Sequence, residues 1–175
     1  MSLAFTTMLR VNLGQLRREG SVDVEAAVAS DDELWKNTDL AWADDVKMRV
    51  RATYAGTGEV VARGNVEGTL VQECRRCLER VDTEFEEELT MVFVEDADED
   101  EDGGAYALEP VGEELELSTA VREEVVLAVN PFVVCTPECR GLCPQCGQNL
   151  NEGSCQCTTD EADPRWAALR ELKSE

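Results

Sequence analysis

Eight cysteines and no histidine constrain this chain more than any other feature of its sequence. Cys74 and Cys77 form a C-x-x-C pair, and the other six (Cys135, Cys139, Cys143, Cys146, Cys155 and Cys157) crowd into CTPECRGLCPQCGQNLNEGSCQC. A C-x-x-C turn delivers two soft ligands from one tight knuckle, which is what a tetrahedral zinc ion asks for. In CPQCG, Gly147 supplies the residue that takes a positive φ and lets backbone amides turn towards the sulfurs. Cys155 and Cys157 complete a local four-thiolate set with Cys143 and Cys146. The remaining four, Cys74, Cys77, Cys135 and Cys139, then form a long-range clip. In a clip of this kind the sulfurs of the two pairs lie within about 4 Å of each other, because zinc–sulfur bonds are about 2.3 Å. This arithmetic gives two structural zinc ions. The alternative partition is a single site with some thiols left free.

Other uses of the thiols are weighed by context. CRRC could be a redox pair, with Arg75 and Arg76 lowering the thiol pKa. A thioredoxin-like motif, however, sits between a strand and a helix, whereas the residues after Cys77 read as strand. A disulfide framework needs an oxidising compartment. The opening MSLAFTTMLRVNLG carries no basic leader and no cleavage site, and no apolar run approaches a bilayer span, so the expectation is a cytoplasmic chain with no membrane role. The spacings match neither common ferredoxin run. Without histidine the commonest general base is missing, and all-cysteine zinc sites are of the closed kind, so the chain reads as no enzyme and as having no small-molecule substrate.

The rest of the chain reads as α+β: an antiparallel sheet with one or two packed helices and a C-terminal cysteine-rich zinc lobe. Residues 1–45 hold apolar anchors without a clean period and pack on the main domain; Leu9, Val11 and Leu13 alternate as a first strand would. Residues 46–134 form the sheet and a helix. Met48, Val50, Ala52 and Tyr54 alternate with polar neighbours, Gly56 and Gly58 supply a turn, and a returning strand covers Glu59 to Arg63. A further strand over Val66 to Val71 runs into Cys74. In the segment Val81 to Val94 one parity is apolar except for Glu87, which predicts a bulge or an edge position there. Seven of the eight residues from Glu95 to Asp102 are acidic, which predicts a disordered loop over 95–112. Ser118 is read as the cap of a helix reaching Asn130 and stopped by Pro131, with strand an alternative over Val125 to Val129. Residues 135–175 form the zinc lobe and a C-terminal helix that opens at Asp163-Pro164, with Trp166, Leu169 and Leu172 on one face.

The pieces CRRCLE (74–79), GLCPQCGQNLNEGSCQC (141–157) and DPRWAALREL (163–172), in that order, resemble the YceD family, the large ribosomal RNA subunit accumulation proteins of bacteria and plastids. The resemblance covers the last two-thirds of the chain. It implies a place in ribosome biogenesis, supporting accumulation or processing of large-subunit ribosomal RNA, and implies no catalytic residue. Charge then bears on the partner. The formal net charge is -22, and two four-thiolate zinc sites would take it to about -26, each adding four negative charges and two positive ones. Binding RNA needs lysine and arginine against phosphate. The local cations are Arg75, Arg76, Arg80 and Arg140, a small basic spot for direct rRNA contact on an acidic body. The expected partner is therefore a basic ribosomal protein or a large-subunit assembly factor.

Overall fold

The computed structural model describes residues 9–55, 58–95 and 104–157. Three long strands carry the architecture, and alternation builds each of them. Strand β3 (Val46–Tyr54) buries Val46, Met48, Val50 and Ala52 and exposes the residues between them. It pairs antiparallel with β4 (Val60–Glu73), which pairs antiparallel with β5 (Arg80–Val94) over its whole length, from Val60 opposite Phe93 to Glu73 opposite Arg80. Where the sequence predicts two strands, Glu59 to Arg63 and Val66 to Val71, there is one. Gly64 resembles a break but is a packing requirement: a Cβ there would lie 2.7 Å from Val50 Cγ2 and 2.8 Å from the Arg49 carbonyl oxygen.

The N-terminal region is more regular than its sequence suggests. β1 (Arg10–Asn12) is followed at once by α1 (Leu13–Glu19), so Leu13 opens a helix instead of continuing a strand. The Asn12 side chain caps it by accepting from the Gln15 N–H at 2.7 Å, and Gly20 ends it in a left-handed conformation. β2 (Ser21–Val28) then adds to the outer edge of β3. Trp42 forms a bridge opposite Leu70, beyond the end of β3, and its ring meets Trp35 at 5.2 Å and Phe85 edge-on at 5.5 Å. Gly68 makes room for that ring, since a Cβ there would lie 2.9 Å from it.

The predicted disordered loop over 95–112 needs correction. Its acidic centre, 96–103, lies outside the described residues. From residue 104 onward the chain is placed: β6 (Tyr106–Ala107) pairs parallel with Phe93 and Val94 of β5. Tyr106 is held because its ring packs on Phe93 at 5.5 Å and its hydroxyl donates to Glu124 at 2.9 Å. The five-stranded sheet, in the order β2-β3-β4-β5-β6, is thus mixed by this one parallel pair. A second, two-stranded sheet joins β1 to β7 (Glu114–Glu116).

Helix α2 (Ser118–Ala128) closes the core with Ala120, Val121 and Val125. Ser118 does not cap it. Leu117 occupies the cap position, and the Ser118 hydroxyl is turned back to the Glu116 carboxylate. The helix stops short of Asn130 because Val129 is extended. At Glu87 there is no bulge: its register with Val66 is unbroken, and the residue is exposed because β5 is the sheet edge there. The C-terminal helix expected from Asp163 and the turn at Gly56-Thr57 lie outside the described residues. Among the described residues, no helix is long and apolar enough to cross a membrane.

Candidate metal centre

The β4–β5 hairpin ends in the first knuckle, with Cys74 following the last residue of β4 and β5 starting at Arg80. The turn is fixed by two backbone hydrogen bonds, Cys74 N–H to the Glu79 carbonyl and Leu78 N–H to the Cys74 carbonyl, both 2.8 Å. The second knuckle repeats this geometry residue for residue. Cys143 N–H donates to the Gln148 carbonyl at 2.8 Å and Gly147 N–H to the Cys143 carbonyl at 2.9 Å. The fifth residue of each turn is left-handed, Gly147 at φ 74° and Leu78 at φ 62°. Leucine in that conformation is costly, which marks the turn geometry as imposed by what surrounds it.

The chain after α2 returns to the first knuckle. Arg75 N–H donates to the Val133 carbonyl at 2.9 Å, and the Arg75 guanidinium lies 4.6 Å above the Phe132 ring. This contact brings Cys135 and Cys139 alongside Cys74 and Cys77. Cys74 Sγ lies 3.8 Å from Cys139 Sγ, and Cys77 Sγ 3.6 Å from Cys135 Sγ. Cys143, Cys146, Cys155 and Cys157 form a second quartet, and within each quartet all sulfurs lie within 4.8 Å of one another. The eight predicted residues are thus gathered as a long-range clip and a local site.

The donor set fits a tetrahedral thiolate site. Zinc–sulfur bonds near 2.3 Å put sulfurs about 3.8 Å apart along a tetrahedral edge, close to the clip's separations. Electrostatics point the same way. Burial works to raise the Cys74 thiol, but backbone hydrogen bonds from Cys135, Arg76 and Cys77 outweigh it and bring the pKa down to about 6. Cys143 is lowered to about 6 by backbone hydrogen bonds from Cys146 and Gln145 and by the Cys155 thiol. Their neighbours move the other way. For Cys77 a backbone hydrogen bond from Glu79 favours the thiolate, yet burial and the adjacent thiols push it up to about 12. The Cys146 thiol foremost pushes Cys157 up to about 12. Four thiols this close cannot all ionise by themselves; a bound dication removes that conflict.

The clip is buried at Cys74, Cys77 and Cys139, whereas Cys146 is exposed in the local site. The two sites touch. Leu142 N–H donates to the Arg76 carbonyl at 3.0 Å, and Gly141 sits so close to that carbonyl that a Cβ would lie 2.9 Å from its oxygen. Asn151, from the loop of the local site, donates its side-chain N–H to Cys139 Sγ at 3.3 Å and accepts the Arg140 N–H at 2.8 Å. Sequence reading missed Asn151. Its signal lies in Asn149-Leu150-Asn151, since asparagine in a turn bonds its neighbours' backbone.

The four arginines of the basic spot differ in freedom. The Arg76 guanidinium donates to the carbonyls of Pro137 and Cys139, at 3.1 and 3.0 Å. Arg80 pairs with Asp82 at 2.7 Å, and Arg75 covers Phe132.

A strand-hairpin knuckle gathered with Cys135 and Cys139, beside a second knuckle gathered with Cys155 and Cys157, defines a cysteine-cluster protein with two four-sulfur groups that could hold metal ions. The chain belongs to the family described as Large ribosomal RNA subunit accumulation protein YceD, which matches residues 62–173. An uncharacterized protein of Mycobacterium tuberculosis is 34% identical over 135 residues, covering 73% of this chain and 61% of that protein. The Arabidopsis thaliana protein named Large ribosomal RNA subunit accumulation protein YCED homolog 1, chloroplastic, is 32% identical over 66 residues, 38% of this chain and 21% of the plant protein. Its Zea mays counterpart is 42% identical over 45 residues, 25% of this chain and 15% of that protein. The chain therefore spans less than two thirds of the length of these relatives. No solved structure matches it.

Proposed function

We infer that this chain is a zinc-stabilised, non-enzymatic factor of ribosome biogenesis in the cytoplasm. It supports accumulation of large-subunit ribosomal RNA by docking on a basic ribosomal protein or assembly factor. The family description and the names of the plant relatives supply the pathway. The observation that carries the structural half is the pair of four-sulfur quartets. Cys74, Cys77, Cys135 and Cys139 would hold one zinc ion, and Cys143, Cys146, Cys155 and Cys157 the other. Zinc bound there supplies cross-links, and four thiolates leave it no open position at which to activate water or substrate.

A protein partner suits the charge better than RNA. Three of the four arginines that would meet phosphate already have partners within the chain, on a body of net charge -22. The redox reading of Cys74 and Cys77 is weaker for a geometric reason. The pair sits in a hairpin turn within a group of four thiols, not at a strand-to-helix junction.

Two measurements test the reading. Elemental analysis of the purified protein should find about two zinc ions per chain, with the thiols unreactive until a chelator is added. Metal-free protein with reversible oxidation of Cys74 and Cys77 would replace it with the redox reading. Capture from cells should recover a basic protein that survives nuclease and is lost as salt rises. Capture abolished by nuclease, and by replacing Arg75, Arg76, Arg80 and Arg140, would mean that RNA is the ligand.

A further inference from the structure

We propose that the open edge of β5, from Asp82 to Thr90, is the docking site of the basic protein partner, which adds to the sheet as an extended strand carrying lysine or arginine at alternate positions. This rests on the protein-partner reading above and specifies where and how the partner binds.

The edge is exposed by the topology. β5 is paired to β4 throughout, whereas β6 covers its other side only at Phe93 and Val94. The Val94 carbonyl accepts from the Leu108 N–H at 2.7 Å, so Val94 directs its backbone groups outward. Backbone direction alternates along an antiparallel strand. The N–H and C=O groups of Asp82, Glu84, Glu86, Glu88, Thr90 and Val92 therefore point the same way. The parallel register of β6 on Phe93 takes up the Val92 carbonyl, and among the described residues no strand pairs with the groups from Asp82 to Thr90. This is an unused ladder roughly 27 Å long at about 3.4 Å per residue.

The side chains along this ladder select the partner. Asp82, Glu84, Glu86 and Glu88 project from the solvent face at every second position, all exposed. Among the described residues no cation lies within ion-pair distance of Glu84, Glu86, Glu87 or Glu88; on the neighbouring strands Arg51 and Arg49 pair with Asp23 and Glu25 of β2, and Arg63 of β4 stands opposite Thr90. Behind the edge lies a crevice of about 540 Å³ in which Asp44, Asp45, Glu67, Glu84 and Glu86 face a single cation, Lys47. Directly opposed strand residues interact through their side chains, so an incoming strand with cations at alternate positions meets a carboxylate at each one opposite Asp82, Glu84, Glu86 and Glu88. Glu87, on the core-side face yet exposed, turns away a purely apolar strand. A second copy of this chain does not fit, because pairing two β5 edges antiparallel opposes glutamate to glutamate. Recognition by main-chain pairing with side-chain selectivity is the chemistry of strand addition.

The test uses the zinc-loaded full chain and a synthetic peptide of alternating lysine and threonine, with a peptide of the same composition whose lysines are clustered as control. Amide exchange followed residue by residue should show new protection at Glu84, Glu86 and Glu88 on adding the alternating peptide. The odd-numbered amides, already bonded to β4, should change little. Glu86→Pro removes one outward N–H and leaves the β4 ladder intact, a substitution edge strands accept, and should weaken binding about tenfold or more. Glu84→Gln combined with Glu88→Gln should weaken it comparably and flatten its salt dependence. Equal binding of both peptides, or binding without protection of the even-numbered amides, would reduce the edge to a diffuse acidic surface and overturn the proposal. No binding would overturn it as well. Nuclease-resistant capture of a basic protein by the Glu86→Pro chain at wild-type strength would remove this docking site while leaving the protein-partner reading in place. Loss of that capture in the wild-type chain on nuclease treatment would instead remove the reading itself.

Discussion

Removing the clip should cost more stability than removing the local site, and chain entropy sets the difference. The cross-link from Cys77 to Cys135 spans 58 residues of sequence, and the chain between them includes β5, β6, β7 and α2. Treated as a cross-link on the unfolded chain, closing a loop of that size is worth about 4 kcal/mol at 25 °C. The link from Cys146 to Cys155 closes a loop of roughly ten residues, worth about 2.7 kcal/mol by the same relation. The clip also lies at the end of the central hairpin, with Cys74 fully buried, so its loss frees the sheet end as well. Cys139→Ser should therefore destabilise the zinc-loaded protein by about 4 kcal/mol, and Cys155→Ser by about 1.5 kcal/mol less. Urea unfolding followed by tryptophan fluorescence is the assay, because Trp35 and Trp42 are buried in the main core. Cys139→Ser should move that transition to lower urea, with Cys155→Ser moving it less. Equal shifts, or a larger one for Cys155→Ser, would refute the assignment of the first quartet as a long-range staple.

Two smaller predictions follow from single contacts. Gly68→Ala forces a Cβ to within 2.9 Å of the Trp42 ring and should destabilise by about 1–3 kcal/mol, read as a lowered urea midpoint with a shifted emission maximum; an unchanged midpoint would show that the ring has room to move. Asn151→Leu removes the donor to Cys139 Sγ and the acceptor of the Arg140 N–H, and should weaken metal binding at the clip about tenfold or more in chelator competition. A loss confined to the local site would show that Asn151 serves only its own loop.

What the sequence makes legible follows from how strongly each element is patterned. β3 alternates cleanly, and β5 does so apart from Glu87, because each has one buried and one wet face, and their pairing with β4 follows from short connections. α1 is only seven residues long and buries just Leu13 and Leu16, too little for a helical period to stand out. β2 does alternate through Val22, Val24, Ala26 and Val28, but Ala26-Ala27 blunts the contrast and the partner strand lies beyond a long irregular segment. Tyr106 gave no local sign of order; it is placed by Phe93 and Glu124, both distant in sequence or on another element.

The candidate metal centre divides along the same line. Each C-x-x-C knuckle is a local object, and the two close with the same pair of backbone hydrogen bonds, so nothing within a knuckle says which distant cysteines it takes as partners. Partner choice comes from tertiary contacts: Arg75 N–H to Val133 brings the chain after α2 to the first knuckle, and Leu142 N–H to Arg76 stacks the second knuckle on the first. Both contacts use backbone groups, which leave no trace in residue identity. Gly141 is the exception, because its approach to the Arg76 carbonyl excludes a side chain and its φ of 74° disfavours one. The glycine between the two quartets is thus where the grouping of the cysteines is written into the sequence, and it can be read there only once the first knuckle is known to lie against it.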